Sequence, residues 1–137
     1  METTEIIATA AGCLNPAERD DRTSGGVAAA IVARGGEVFL GVCIDTVSGM
    51  GFCAEHAAAA AMVTAGRFEI AQVVAVTRDE ATGGLLVLPP CGRCREFLYR
   101  IDRRNLGAEV VLGADSVAAL GDLLPARDGV HVPGTVA

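Results

Sequence analysis

The sequence predicts an α/β fold: a three-layer α/β/α sandwich in which helices cover both faces of a mixed sheet of about five strands. Two short apolar runs, 27–33 and 37–43, flank Gly35-Gly36 and therefore predict a β-hairpin. Farther along, apolar runs alternate with helical segments, as in sheets whose strands are joined by crossover helices. The run over 72–77 is apolar almost throughout, which is typical of a strand buried on both faces.

The first half of the chain is predicted to hold two helices around the hairpin. Residues 2–19 are predicted to form an amphipathic helix, because acidic residues in its first turn suit the helix dipole. Residues 20–26 have the composition of a loop, and 45–52 is predicted to be a flexible connection. A second helix is predicted from about Cys53 to Ala65, because its run of alanines has the highest helix propensity.

The second half is predicted to continue this alternation. Its predicted elements are strands over 72–77 and 85–88, a helix over 92–104, a strand over 109–112 and a short helix over 116–124. Strands joined by helices are expected to be parallel. Pro125 is expected to end the last helix because proline lacks a backbone N–H, and 126–137 is predicted to be a loose tail. At 137 residues, the chain is expected to form a single domain, 1–137.

Composition and charge exclude several classes of function. A formal net charge of −6, no tryptophan and one tyrosine argue against a groove that binds a nucleic acid polymer. No apolar run is long enough to span a bilayer, so no membrane partner is expected. The acidic start of the chain is unlike a signal peptide. Five cysteines, an odd number, are expected to be reduced thiols in the cytoplasm.

Three cysteines and one glutamate are the candidate catalytic centre. Cys53 and Cys91 each stand at the predicted start of a helix, where unpaired N–H groups and the helix dipole stabilise thiolates. Cys94 lies three residues after Cys91 and therefore shares its face of the helix. Three protein ligands with an open fourth position are typical of a catalytic Zn²⁺ ion, whereas structural sites have four. Glu55 would lie near the open position, where it could exchange protons with water.

Two motifs resemble the paired signature of the cytidine deaminase family: Cys53-Ala54-Glu55 and Pro90-Cys91-Gly92-Arg93-Cys94-Arg95-Glu96. Softer matches are V-A-A-A over 27–30 and L-G-D-L-L-P over 120–125, so the resemblance spans about residues 27–125. It implies a small homotetramer, with a homodimer as the alternative, that holds one Zn²⁺ ion per chain. It also implies an enzyme of pyrimidine salvage that converts cytidine or deoxycytidine to the uracil nucleoside and ammonia.

The resemblance also assigns roles around the substrate. Glu55 would carry a proton to ring atom N3 and then to the departing amine, and the Ala54 N–H would bind the base carbonyl. Cys43 and Asp45 stand where the family has Asn-x-Glu to hold the sugar hydroxyls. Phe52, directly before Cys53, is the candidate aromatic contact. These departures make blasticidin S, or another modified amino-heterocycle, the alternative substrate.

Three further side chains are predicted to support the thiolates. Family members often place an arginine directly after the catalytic glutamate to offset the charge of three thiolates, and here that residue is His56. Arg93 and Arg95 are hypothesised to point guanidinium N–H groups at sulfur. A further family position, an aromatic residue shortly after Leu-Leu-Pro, is Asp128 in this chain.

Two interpretations outside hydrolytic deamination remain open. Cys91 and Cys94 could form a thioredoxin-like redox pair, although that hypothesis leaves Cys53 without a role. A structural Zn²⁺ site in a non-catalytic assembly module would need His56 or Cys43 as its fourth ligand. The three other phenylalanines are interpreted as core residues: Phe39, Phe68 and Phe97.

Overall fold

A computed structural model of the chain describes residues 1–135 as a seven-stranded sheet between two layers of helices. The strands are Ala17–Arg19 (β1), Arg22–Ala33 (β2), Val38–Asp45 (β3), Ile70–Arg78 (β4), Leu85–Leu88 (β5), Glu109–Gly113 (β6) and Ser116–Ala119 (β7). The helices are Thr3–Ala11 (α1), Ala54–Thr64 (α2) and Gly92–Ile101 (α3). The predicted three-layer class is confirmed, with two more strands than expected.

The long strand β2 organises the sheet. It pairs antiparallel with β1, β3 and β4, so the predicted hairpin of β2 and β3 is present. Strand β6 runs parallel to β4, and β7 returns antiparallel to β6. The expectation of parallel later strands is wrong for β5, which runs antiparallel to β4. A tight turn joins these two strands, with the Asp79 N–H bound to the Gly84 carbonyl, and it is too short for a crossover.

The two faces of the sheet bury different helices. Ala28, Ala30 and Val32 of β2 pack in the apolar cluster that includes α1. The alternate residues Ala29 and Ile31 pack in the larger cluster, which includes residues of α2 and α3. This alternation follows from the two-residue repeat of a strand, and it explains why β2 is apolar on both faces. Helices α2 and α3 therefore lie on the same side of the sheet.

The predicted first helix and the loop after it are wrong in their boundaries. Helix α1 ends at Ala11 rather than at residue 19, and 17–19 forms β1. Pro16 lacks the N–H that a continuing helix requires. Asp20, at φ 53°, turns the chain back so that β2 begins at Arg22, inside the segment 20–26 that was predicted to be a loop.

The C-terminal elements also differ from the prediction. Helix α3 ends at Ile101, because Asp102 is extended and its side chain caps a 3₁₀ turn over Arg103–Gly107. Residues 116–124 do not form a helix. They form β7 and then a 3₁₀ turn over Leu120–Leu123. The edge of β6 offers unpaired backbone groups to residues that follow a short turn, and pairing with β6 outweighs their local helix propensity.

The segment after Pro125 contacts α3 before it leaves the body of the protein. The Tyr99 hydroxyl donates to both carboxylate oxygens of Asp128, at 2.9 and 2.8 Å, whereas Val130 is 90% exposed. The last two residues of the predicted tail, 136–137, lie outside the described residues. Within the described part, the longest helix has 11 residues, and none has the length and apolar character needed to cross a membrane.

Candidate active site

Three thiols converge at the adjoining ends of α2 and α3. The Cys53 Sγ lies 3.6 Å from the Cys91 Sγ, which lies 3.4 Å from the Cys94 Sγ. All three sulfur atoms are within 4.8 Å of one another. Cys94 is buried and Cys91 is exposed, so the group spans from the interior to the surface. The structure thus brings together the three cysteines that the sequence predicts as metal ligands.

Helix capping positions these sulfurs. Cys53 and Cys91 are the residues just before α2 and α3, and both have extended backbone. The Cys91 Sγ accepts the N–H of Cys94 at 3.4 Å, which satisfies one of the free N–H groups of the first turn. The Arg95 Nε donates to the Pro90 carbonyl at 2.8 Å and fixes the turn that leads into α3. The Cys-x-x-Cys spacing therefore places two sulfurs on one helix face.

The arrangement of the sulfurs fits a Zn²⁺ ion. Tetrahedral Zn²⁺ with Zn–S bonds of ~2.3 Å requires sulfur atoms ~3.8 Å apart. The two measured sulfur separations, 3.6 and 3.4 Å, are close to that edge length. Thiolates are also the soft ligands that zinc accepts, whereas Mg²⁺ and Ca²⁺ prefer oxygen. Three thiols leave one tetrahedral position without a cysteine ligand.

Without a metal ion, the three thiols differ in acidity. Burial raises the pKa of Cys94 well above its usual range, and the nearby Glu55 charge raises it further. Burial likewise raises the pKa of Cys53, as does its hydrogen bond with Cys91. Burial also tends to raise the pKa of Cys91, but hydrogen bonds with the N–H and thiol of Cys94 lower it below the usual value. A metal ion that binds all three sulfurs must therefore displace protons from at least two of them.

Glu55 is the one acidic side chain in the described part that is buried close to the thiols, at 5% exposure. It stands in the first turn of α2, two residues after Cys53. Burial raises the pKa of Glu55, although its own backbone N–H and the Cys94 thiol oppose the rise. A carboxyl whose pKa lies above its usual value holds a proton more readily, which suits a group that accepts a proton and later returns it.

A cavity of about 420 Å³ opens beside the thiols. Its lining includes every residue predicted to contact substrate, namely Cys43, Asp45, Phe52 and Ala54, together with Cys53, Glu55, Cys91 and Arg93. This volume is in the range of small-molecule pockets. The Cys43 Sγ accepts the N–H of Val27 at 3.3 Å, so this thiol is already engaged with β2. Sequence reasoning missed the wall residues Val27 and Leu88, since only the packing of strands brings them here.

His56 contacts Cys94, one of the three converging cysteines, and is not among the residues that line the cavity. Its Nδ1 lies 3.4 Å from the Cys94 Sγ, and its ring stacks on Phe97 with centroids 4.2 Å apart. Burial lowers the pKa of His56, and the positive charge of Arg93 lowers it further. A neutral ring whose Nδ1 bears the proton would donate to a Cys94 thiolate, because a thiolate only accepts.

Several sequence-based roles change in the structure. The Arg95 guanidinium donates to the carbonyls of Pro90 and Leu123, so the hypothesis that it points at sulfur is wrong. Phe97 and Phe68 are 36% and 45% exposed rather than core residues. The position of Phe97, three residues after Cys94 on the same helix face, could have indicated that its ring lies near the thiols. Asp128 binds Tyr99 and is not among the residues that line the cavity.

Comparison with solved structures finds several similar enzymes. The cytidine deaminase from Mycobacterium tuberculosis is 30% identical over 95% of this chain and 96% of that chain, with a TM-score of 0.67. The cytidine deaminase from Burkholderia pseudomallei is 26% identical over 93% of this chain and all of that chain, with a TM-score of 0.71. No family model and no curated protein matches the chain.

The fold and the site together define a class of enzyme. A mixed sheet between helices, with a three-cysteine group at the ends of two helices, fits a zinc-dependent deaminase. The chain belongs to the cytidine deaminase family. The family resemblance found in the two cysteine motifs is thereby confirmed.

Proposed function

We propose that the protein deaminates an amino-pyrimidine nucleoside, with cytidine or deoxycytidine as the leading substrates. The observation that supports this most directly is a buried carboxyl, Glu55, in the wall of a cavity that is also lined by Cys53 and Cys91, two of the three converging cysteines. One water molecule adds to C4 of the ring and the amine leaves as ammonia, so that the product has a carbonyl at C4. Such a reaction would place the protein in pyrimidine salvage.

Each side chain has a defined task in this proposal. Cys53, Cys91 and Cys94 would hold one Zn²⁺ ion, which lowers the pKa of water at its open position when bound. Glu55 takes one proton from the attacking water and delivers it to N3. It then takes the remaining hydroxyl proton and delivers it to the departing amine. The Ala54 N–H, in the first turn of α2, binds the base carbonyl, because N–H groups there have no partner within the helix.

The sugar end of the cavity supports a second candidate substrate. Asp45 can accept a hydroxyl hydrogen, but the Cys43 thiol is bound to the Val27 N–H and offers no amide group. Phe52 lines the same cavity and supplies an apolar face. A modified amino-heterocycle nucleoside such as blasticidin S is therefore the alternative substrate.

An ammonia-release screen tests the proposed function. The zinc-loaded protein is assayed with cytidine, deoxycytidine, blasticidin S, guanine and simple triazines, and the product is identified by mass spectrometry. We expect ammonia and the matching 4-oxo product from at least one cytosine nucleoside. Ammonia from none of these compounds, in protein with one zinc ion per chain, would contradict the proposal and favour a structural zinc module.

We also propose that the chain assembles as a homotetramer in the cytoplasm. Large apolar side chains are exposed on the single chain, among them Phe68, Phe97, Leu86 and Val117. Burial of such side chains by another subunit would remove apolar surface from water. The five cysteines are free thiols, the state that a reducing compartment maintains. Light scattering should give a mass of four chains, and a monomer mass would contradict the assembly.

A further inference from the structure

The cavity wall contains one positively charged side chain, and we propose that Arg93 binds an anionic group of the substrate. The group would be a phosphate or a carboxylate, so the preferred substrates would be amino-pyrimidine nucleosides with such a substituent. This inference rests on the proposed deaminase function, because it assigns the substrate class of the same cavity.

Arg93 has no protein partner among residues 1–135. Most of the eleven arginines bind a carboxylate or a backbone carbonyl: Arg22, Arg34, Arg67, Arg78, Arg95, Arg100, Arg104 and Arg127. Within the described chain, no carboxylate oxygen lies within 4.0 Å of the Arg93 guanidinium. Arg93 is also the one arginine of that part of the chain that lines the cavity. Its hydrogen-bonding capacity is thus available to a ligand.

A different role for Arg93 would be to neutralise the thiolates. Within the described residues, however, the Arg93 guanidinium makes no hydrogen bond to any of the three sulfur atoms. The sulfurs instead contact one another, the Cys94 N–H and the His56 ring. The neighbouring Arg95 is held by two backbone carbonyls and cannot take the place of Arg93 at the cavity. The contacts therefore favour a ligand of Arg93 that comes from outside the protein.

The chemistry of the cavity makes an anion the ligand that Arg93 fits. A guanidinium group presents paired N–H donors that match the two oxygens of a carboxylate or phosphate. The other ionisable groups of the lining are Asp45, Glu55 and the thiols, so Arg93 is the one lining side chain with a permanent positive charge in the described part of the chain. Arg93 is exposed in the first turn of α3, and a Cβ at its neighbour Gly92 would meet no atom within 4 Å. Because Arg93 is exposed and lines the cavity, an anionic substituent can reach its side chain.

Binding measurements on the zinc-loaded protein test the inference without requiring turnover. Calorimetry compares uridine with uridine 5′-monophosphate and with uridine 5′-carboxylate. We expect one of the two anionic ligands to bind at least about 10-fold more tightly than uridine, as a charge-assisted hydrogen-bonded pair permits. The two ligands distinguish phosphate from carboxylate. The preference should fall at high salt, because a partly exposed ion pair is screened.

Variants separate the ligand role from other roles of Arg93. Arg93→Gln should abolish the preference for the anion and leave uridine affinity and zinc content unchanged, whereas Arg93→Lys should retain part of the preference. Arg103→Gln is the matched control, because Arg103 is an exposed arginine outside the cavity lining. An equal affinity for uridine and both anions, or a preference that survives Arg93→Gln, would overturn the inference. Zinc loss with equal weakening of all three ligands would also overturn it and assign Arg93 to the thiolates.

Failure of the proposed deaminase function and failure of the inference about Arg93 give different experimental results. Absence of ammonia in the substrate screen refutes the deaminase function, whereas the ratio of ligand affinities does not depend on turnover. If cytidine is deaminated and the ratio is near one, the proposed function stands and the anionic substrate class is wrong. If the ratio is high, ammonia release from cytidine 5′-monophosphate and cytidine 5′-carboxylate should exceed that from cytidine at low substrate concentration.

Discussion

The Glu55 carboxyl combines burial with access to the cavity, and each property has a separate origin. Its place in the first turn of α2 is local, because Cys53 precedes the helix and Glu55 follows two residues later. Its burial arises from packing beside the thiols and β4. Burial raises its pKa above the usual value, which suits a group that both accepts and donates a proton.

Replacement of Glu55 by glutamine should reduce kcat/KM by about 10²–10⁴-fold, the usual contribution of a general acid–base group. Glutamine has nearly the same shape but cannot transfer the proton, so zinc content and the unfolding temperature should match those of the parent. Steady-state kinetics, metal analysis and thermal unfolding measured on the same samples test this. Full activity of the variant would remove Glu55 from the mechanism.

The His56 side chain lies beside the thiols, as the sequence predicts, and it is held there by two contacts with α3. Its Nδ1 meets Cys94 on another helix, and its ring is held by stacking on Phe97. The imidazole lies outside the group of sulfurs that are mutually within 4.8 Å. These contacts support a role for His56 in orienting Cys94, a proposed metal ligand, through a hydrogen bond, rather than a role as the fourth metal ligand.

Replacement of His56 by alanine should weaken zinc affinity or activity by about 10–100-fold, as is typical when a hydrogen-bonding partner of a metal ligand is removed. Chelator competition measures the affinity. Phe97→Leu is the companion variant, because it removes the stacking contact and leaves the imidazole in place, and its effect should be smaller. Complete loss of zinc from His56→Ala would instead indicate that the imidazole is a ligand.

At the level of elements, α2 lies unusually close to the sheet. A Cβ added at Gly41 of β3 would lie 2.4 Å from the Ala58 N and 2.6 Å from the Ala57 Cβ. The alanines of α2 and a glycine of β3 thus allow a contact that larger side chains would prevent. Because Cys53 and Glu55 stand at the start of α2, this contact also sets their height above the sheet.

Replacement of Gly41 by alanine should lower the free energy of unfolding by about 1–3 kcal/mol, because the added methyl group overpacks the α2–β3 contact. Gly107→Ala is the matched control, since a Cβ there meets no atom within 4 Å. That control should be neutral or stabilising by up to about 1 kcal/mol. Urea unfolding of both variants measures the difference, and equal stabilities would show that α2 can shift without cost.

At the scale of the molecule, the three converging thiols of Cys53, Cys91 and Cys94 connect two helices that are distant in sequence. Cys53 precedes α2 and Cys91 precedes α3, and α2 and two strands, β4 and β5, lie between them in the sequence. Both helices pack on the same face of the sheet. A metal ion bound to all three sulfurs would cross-link these helix ends. Its binding free energy then adds to the stability of the folded state.

Removal of the metal should therefore destabilise the whole fold. A strong chelator, or Cys91→Ala, should bring zinc well below one ion per chain and lower the unfolding temperature by more than about 5 °C. Cys13→Ala is the matched control, because Cys13 follows α1 and lies outside the thiol group. It should retain the metal and unfold with the parent. A full complement of zinc in Cys91→Ala would contradict the assigned ligand set.

The local features of this protein were determined by the sequence alone. The helix-start cysteines, the Cys-x-x-Cys spacing and Glu55 could all be identified because each depends on a few adjacent residues and on helix geometry. The same is true of α2 and of the hairpin of β2 and β3, whose patterns are continuous. The three-layer class also followed, because the order of apolar runs limits how a short chain can bury them.

Only the tertiary structure decided which distant groups meet. Pairing along the sheet edges converted 17–19 and 116–119 into strands, because backbone groups of a neighbouring strand outweigh weak local propensity. The contact of His56 with Cys94 and the direction of Arg95 depend on how α2 and α3 pack. The position of Arg93 in the cavity wall is likewise a product of packing, because segments distant in sequence form that wall.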